Sequence, residues 1–146
     1  MLFFSDIHTH FGSFDARREL CSFATLSEQG SETMKIIEKP WGREIWIAHT
    51  DKYALKLIEF KAGSRSSLQY HEVKHETIYL DQGILEVEAE DEQGQLITLT
   101  LKPGDVIENP PMRKHRVTAI EDARLIEVST PELDDVVRVE DDYDRK

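Results

Sequence analysis

The sequence predicts an all-β fold, a jelly roll or closed barrel, with a short helical extension before it. From Met34 onward, short segments rich in aliphatic and aromatic residues follow one another, separated by Gly, Pro and Asn turn signals. Within residues 85–90, Leu, Val and Ala alternate with Glu, which is typical of a strand with one buried and one solvated face. This regular spacing favours a sandwich, jelly roll or barrel over a parallel α/β sheet.

The predicted strands are separated by clear turns. Lys102-Pro103-Gly104-Asp105 and Asn109-Pro110-Pro111 interrupt the apolar segments with residues that suit tight turns. At 146 residues, the chain has the usual size of one domain and can bury a substantial core. The predicted strands cover residues 44–48, 53–60, 85–89, 96–101, 117–119 and 124–128.

The chain divides at Met34 into an N-terminal extension, residues 1–33, and a β domain, residues 34–146. Ser13 suits a helix N-cap and Gly30 a helix stop, so one helix is predicted between them. Met34 directly precedes the first strand and is itself a candidate start codon. The extension is therefore either part of the functional fold or an upstream addition.

Composition restricts the partners of the protein. The chain carries 29 acidic and 18 basic residues, a formal net charge of −11, without a cluster of Lys and Arg. Nucleic acid and anionic membranes are therefore not expected as partners. A single cysteine excludes an internal disulfide framework, and no apolar run approaches the ~20 residues of a membrane span. We expect a soluble, cytoplasmic protein and, because symmetric pairs are the commonest assembly, a homodimer.

Four polar residues form a candidate metal site. Gln69 and His71 are two positions apart, so on a strand they share one face, and a bend lets Glu76 return beside them. His115 opens a later strand after a Gly- and Pro-rich segment. Imidazole nitrogen, carboxylate and amide oxygen are ligands for borderline or hard divalent ions. From spacing alone, a hydrogen-bonded polar role competes with metal binding for each residue.

These segments resemble the paired motifs of the cupin superfamily. The resemblance implies a double-stranded β-helix, the jelly-roll barrel of that family, with a metal ion in its interior. The first motif is matched at His71, Glu76 and Gly83, and the second at Gly104, Pro110 and His115.

The motifs are not complete. Val73 stands where the second His of the first motif is usual, and Met112 stands where the second motif has its last Gly. With Gln69 as the replacement, the ligand set is similar to the zinc ligands of phosphomannose isomerases. The resemblance thus implies one divalent metal ion, with zinc first and manganese, iron or nickel as alternatives.

A closer resemblance covers most of the chain after Met34. It is to the cupin domain of type II mannose-6-phosphate isomerases, in a free-standing form without the nucleotidyltransferase found in many of them. Asp144 departs from the family, which usually has Gly there. The matching segments are residues 38–42, 67–71, 102–105, 134–138 and 140–143.

This resemblance implies aldose–ketose isomerisation of a sugar phosphate, such as mannose 6-phosphate to fructose 6-phosphate. The reaction needs a base near the sugar carbons and a cation for the phosphate. His75 is the candidate base, although a solvent-facing histidine is the competing interpretation. Arg138, in the matched C-terminal segment, is a candidate for catalysis and phosphate binding. Arg65 is a second phosphate candidate, because it shares a face with Gln69 if the strand is regular.

Two other functions compete with the isomerase. One is a non-catalytic cupin module that binds metal and sugar without turnover. The other is a different metalloenzyme on the same barrel, such as an iron dioxygenase, because one fold hosts many chemistries. The Gln-x-His pattern and the C-terminal segment favour the isomerase over the dioxygenase.

Overall fold

The computed structural model describes residues 34–145, and every regular element in that range is a strand. The predicted all-β class is therefore confirmed, whereas the predicted helix between residues 13 and 30 lies outside the described residues. The strands are β1 (Lys35–Lys39), β2 (Gly42–His49), β3 (Ala54–Phe60), β4 (Leu68–Tyr70), β5 (Glu76–Gln82), β6 (Leu85–Glu90), β7 (Leu96–Leu101), β8 (Val106–Asn109), β9 (His115–Ala119), β10 (Ala123–Ser129) and β11 (Val137–Glu140).

The strands form two antiparallel sheets. The six-stranded sheet has the order β1-β2-β3-β10-β5-β8, and the five-stranded sheet has the order β11-β4-β9-β6-β7. Several neighbouring strands, such as β3 and β10 or β4 and β9, come from distant parts of the chain, as in a jelly roll. No helix within residues 34–145 has the length and hydropathy needed to cross a bilayer.

Alternation along the strands builds the core. In β6, Leu85, Val87 and Ala89 are at most 6% exposed, as their alternation with glutamate predicts. Each fully buried Leu or Val contributes about 1.5–3 kcal/mol of hydrophobic stabilisation. In β5, Glu76 lies on the same face as the buried Ile78 and Leu80. A carboxylate is thereby placed at the end of an apolar row.

The strands that the sequence did not reveal are the ones that position the site. β4 has three residues and β8 has four, and β5 and β11 lie in segments for which no strand was predicted. β11 pairs with β4, which sets Arg138 opposite Gln69. β4 pairs in turn with β9, which sets Gln69 opposite His115.

Candidate metal centre

Three predicted ligands converge at one point between the sheets. His71 follows β4, Glu76 opens β5 and His115 opens β9, and their ligand atoms all lie within 4.8 Å of one another. The carboxylate of Glu76 lies between the two rings, with Oε1 3.1 Å from His115 Nε2 and Oε2 3.6 Å from His71 Nε2. All three residues are at most 3% exposed.

Hydrogen bonds orient both imidazoles towards the carboxylate. His71 Nδ1 donates to the main-chain oxygen of Asp135, and His115 Nδ1 donates to that of Arg113 at 3.1 Å. With Nδ1 protonated, the lone pair of each Nε2 faces Glu76. Burial, followed by the nearby positive charge of Lys74, lowers the pKa of His71 and keeps its ring in the neutral, ligating form.

The donor set fits a divalent metal ion. His71 Nε2 is fully buried and has no hydrogen-bond partner, which is costly for a polar atom unless it serves as a ligand. Two imidazole nitrogens and one carboxylate oxygen are donors that zinc and its neighbours accept. A hydrogen bond from Nδ1 of each ring to a backbone carbonyl is the usual support for such ligands.

Gln69 lies next to the triad. It is half-buried, faces His115 across the β4–β9 pair, and lines the same cavity as His71. Its Oε1 accepts a hydrogen bond of 2.8 Å from the hydroxyl of Ser67. An amide oxygen has two lone pairs, so this bond leaves one for a metal. The fourth-ligand role of Gln69 stays a prediction.

The structure corrects the register of the first motif. The side chain of Val73 is 61% exposed, so position 73 does not face the triad. Counted from Gly63, the two histidine positions of the motif fall on Gln69 and His71. The chain therefore has a glutamine in place of the first histidine and keeps the second.

The two missing family glycines leave non-glycine residues in left-handed backbone. Met112 has φ of 68° and Asp144 has φ of 52°. This is the region that glycine enters without steric cost, which explains why the family usually has glycine at both positions. The Met112 N–H donates to the carbonyl of His71 at 2.6 Å, so the strained turn is hydrogen-bonded to a candidate metal ligand.

A buried charge network, which the sequence interpretation missed, adjoins the triad. Lys74 Nζ lies 2.5 Å from Glu76 Oε2 and 3.1 Å from Glu127 Oε1, and Lys56 Nζ lies 3.2 Å from the same Glu127 oxygen. These four residues are at most 5% exposed. Burial would lower the pKa of Lys74, but Glu127 and Glu76 outweigh it and raise the pKa, so the ammonium stays charged.

A signal for part of this network was present in the sequence. Lys56 alternates with Ala54 and Ile58 in β3, and Glu127 alternates with Leu125 in β10. A charged residue on the apolar face of a strand must be paired, because an isolated buried charge is too costly. The positions of Lys56 and Glu127 on the buried faces of their strands therefore indicate a buried ion pair.

A cavity of about 470 Å³ opens beside the triad and the network. Gln69 and His71 contribute to its wall, and Trp41 and Trp46 also line it. The charged lining consists of Lys35, Lys39, Lys56, Lys74, Arg138 and Arg145 against Glu44, Glu127 and Asp134. Two of these cations are paired with carboxylates outside the lining, Lys74 with Glu76 and Arg145 with Asp141, so six cations stand against five carboxylates and leave an excess of one positive charge in a chain whose net charge is −11. This inversion of charge favours an anionic ligand.

The remaining predicted site residues separate into two groups. Arg138 lines the cavity. His75 does not line it: its side chain is 43% exposed, and its Nε2 lies 2.7 Å from Oε1 of Glu108 on the outer side of the barrel. Arg65 is also outside the lining and is ion-paired with Asp142. The regular strand assumed for Arg65 is wrong, since β4 begins only at Leu68. The roles of all three residues stay predictions.

Comparison with known proteins identifies the family. Residues 56–129, just over half of the chain, match the model described as a cupin domain, and the chain belongs to that family. No curated protein matches the sequence.

Solved structures support the same fold. The chain is similar to KdgF from Halomonas sp., with 28% identity and a TM-score of 0.60 over 69% of this chain and 89% of that one. It also resembles oxalate decarboxylase from Bacillus subtilis, with 18% identity and a TM-score of 0.65 over 73% of this chain. It spans only 30% of that decarboxylase, so this likeness shows the fold alone.

Proposed function

We propose that the protein is a metal-dependent isomerase of a sugar phosphate, with mannose 6-phosphate as the first substrate to test. The observation that carries the proposal is the cation-rich cavity beside the buried His71, Glu76 and His115 triad. Its volume of about 470 Å³ lies in the range of small-molecule sites. The positive lining matches the phosphate, and the triad matches the need for a divalent ion.

The residues would divide the work as follows. His71, Glu76 and His115 would hold a divalent ion, with Gln69 as the fourth ligand, and such an ion would supply polarisation of the sugar oxygens. The guanidinium of Arg138 binds the phosphate. The ammonium of Lys74, at the edge of the triad, donates a hydrogen bond to a sugar oxygen and stabilises negative charge that develops there.

The second candidate is a cupin module that binds metal and sugar phosphate without turnover. One observation favours it: the predicted base, His75, points away from the cavity and pairs with Glu108. Turnover then requires another group in the cavity to move the proton. The cytoplasmic location and the identity of the metal, with zinc first, remain predictions in both cases.

The test combines metal content and activity in the same samples. Elemental analysis and a coupled mannose 6-phosphate isomerase assay are applied to wild type, His71→Ala, His75→Ala and the control His49→Ala, which alters an exposed histidine. We expect about one metal ion per chain in wild type and the control, and loss of metal and activity in His71→Ala. We expect His75→Ala to retain its metal.

Each outcome separates the candidates. Metal and phosphate-ester binding without turnover supports the binding module. Loss of activity but not metal in His75→Ala restores that residue as the base. Absence of metal in wild type after reconstitution contradicts both candidates.

A further inference from the structure

The segment between β10 and β11 holds the loop that carries the metal ligand His71. One carboxylate makes most of the contact. Asp135 accepts backbone N–H bonds from three consecutive loop residues: Glu72 at 3.0 Å, Val73 at 2.7 Å and Lys74 at 2.7 Å. Three amides directed at one carboxylate fix the loop more firmly than a single cap would.

The same residue also orients the ring of the ligand. The main-chain oxygen of Asp135 accepts the Nδ1–H of His71, which leaves Nε2 of His71 directed at Glu76. The side chain and the backbone of Asp135 thus act on the same loop at two points. Burial would raise the pKa of Asp135, but the loop amides outweigh it and lower the pKa, so the carboxylate stays ionised.

We propose that Asp135 is a positioning residue of the metal centre: by clamping residues 72–74 and the His71 ring together, it sets the metal affinity of the triad. This role does not depend on the sugar reaction. It depends only on metal binding by His71, Glu76 and His115.

The clamp also joins the metal loop to the cavity wall. Two residues after Asp135, β11 begins, and its Val137 and Arg138 pair with Tyr70 and Gln69 of β4. A single short segment therefore supports the loop on one side and carries the candidate phosphate ligand on the other. Removing the Asp135 side chain is expected to disturb His71 more than Arg138, because the side chain contacts the loop that carries His71.

The experiment measures metal affinity and geometry, not turnover. The full chain and its Asp135→Ala and Asp135→Asn variants are titrated with cobalt(II), followed by the visible absorption of the bound ion, and with zinc by competition against a chelator. The control is Asp142→Ala, which removes a nearby C-terminal carboxylate that pairs with Arg65 instead of the metal loop. Thermal unfolding establishes that each variant is folded at the titration temperature.

We expect Asp135→Ala to weaken metal binding by about 10–100-fold, which is the usual effect of removing a hydrogen-bonding partner that holds a metal ligand in place. We also expect it to alter the cobalt spectrum. Asp135→Asn keeps the size and one acceptor oxygen, so its loss should be smaller but in the same direction. The control should bind like wild type.

Two results would overturn the inference about Asp135, and a third would also contradict the proposed function. Wild-type affinity and spectrum in either folded Asp135 variant show that the residue only stabilises the loop. An equal loss in Asp142→Ala shows a general effect of the C-terminal segment. Failure of wild type to bind cobalt or zinc contradicts the metal centre itself, and with it the proposed function. If Asp135→Ala does not fold, Asp135→Asn decides.

Discussion

Replacing the buried Lys74 by methionine tests the charge network in the metal-free protein. Its ammonium lies 2.5 Å from Glu76 and 3.1 Å from Glu127. At an effective dielectric of about 20, each contact is worth about 5–7 kcal/mol of Coulomb energy, most of which offsets the cost of desolvation. Removing Lys74 leaves the buried carboxylate of Glu76 without its cation, whereas Glu127 keeps Lys56, so we expect the free energy of unfolding to fall by about 3 kcal/mol, the lower end of the range for a broken buried pair.

Metal should reverse much of this loss. In wild type, a divalent ion competes with the Lys74 ammonium for Glu76, whereas in Lys74→Met the carboxylate is available. Zinc should therefore stabilise the variant more than wild type. At a free concentration of 100 times its Kd, an ion that binds only the native state adds about 2.7 kcal/mol.

Urea unfolding in EDTA and in buffered zinc measures both effects. The control is Lys114→Met, since Lys114 Nζ lies 3.0 Å from Glu90 but is 40% exposed. An exposed pair of this kind contributes about 0–1 kcal/mol. A loss below about 1 kcal/mol in Lys74→Met, or equal zinc stabilisation in both proteins, would refute the reasoning.

Four further predictions follow from particular residues. Arg138→Met should raise the KM for the sugar phosphate about tenfold or more, while Arg65→Met should leave it unchanged; equal effects would contradict the placement of the two residues. The pKa of Asp135 is lowered in the folded state, so its ionised carboxylate stabilises the fold above about pH 4, and this stabilisation is lost as pH falls through the folded pKa. The free energy of unfolding of Asp135→Asn should therefore decrease less with falling pH than that of wild type, in acid titrations followed by circular dichroism. Met112→Gly should raise the free energy of unfolding by about 1 kcal/mol in urea melts, because φ of 68° strains methionine; a decrease would show that side-chain contacts dominate. We also propose that the homodimer forms along β7, an edge strand that carries no charged residue. Light scattering should show a dimer that Leu99→Lys converts to a monomer. A monomeric wild type would contradict this proposal.

The sequence alone determined the fold class and the main part of the candidate site. Alternation in β6 predicts a half-buried strand because the strand period is two, whatever the strand pairs with. His71, Glu76 and His115 were predicted from their resemblance to the paired cupin motifs, since spacing alone left a hydrogen-bonded role open, and the structure brings them together. These inferences succeed because they depend on local periodicity and on motifs that the family repeats.

Burial of individual charges was harder to infer. Lys74 and Lys56 look like ordinary surface lysines in the sequence. The register of Lys56 on the buried face of β3 distinguishes it, whereas Lys74 lies in the loop before β5, where no strand period applies. His75 and Arg65 seemed close to the ligands in sequence, but neither lies in the cavity lining: His75 precedes β5 and pairs with Glu108, and Arg65 precedes β4 and pairs with Asp142. Sequence proximity to a motif therefore does not imply proximity to its site.

The surroundings of the candidate metal centre follow from contacts between distant segments of the chain. Asp135 reaches the loop of His71 from more than sixty residues away, and Arg138 reaches Gln69 through a strand pair that no local pattern announces. The charge of the cavity lining likewise differs in sign from the charge of the chain, because cations from β1, β3, β11 and two loop segments converge on it. Local sequence specifies which face of a strand is apolar, but the pairing of distant strands determines which polar groups meet.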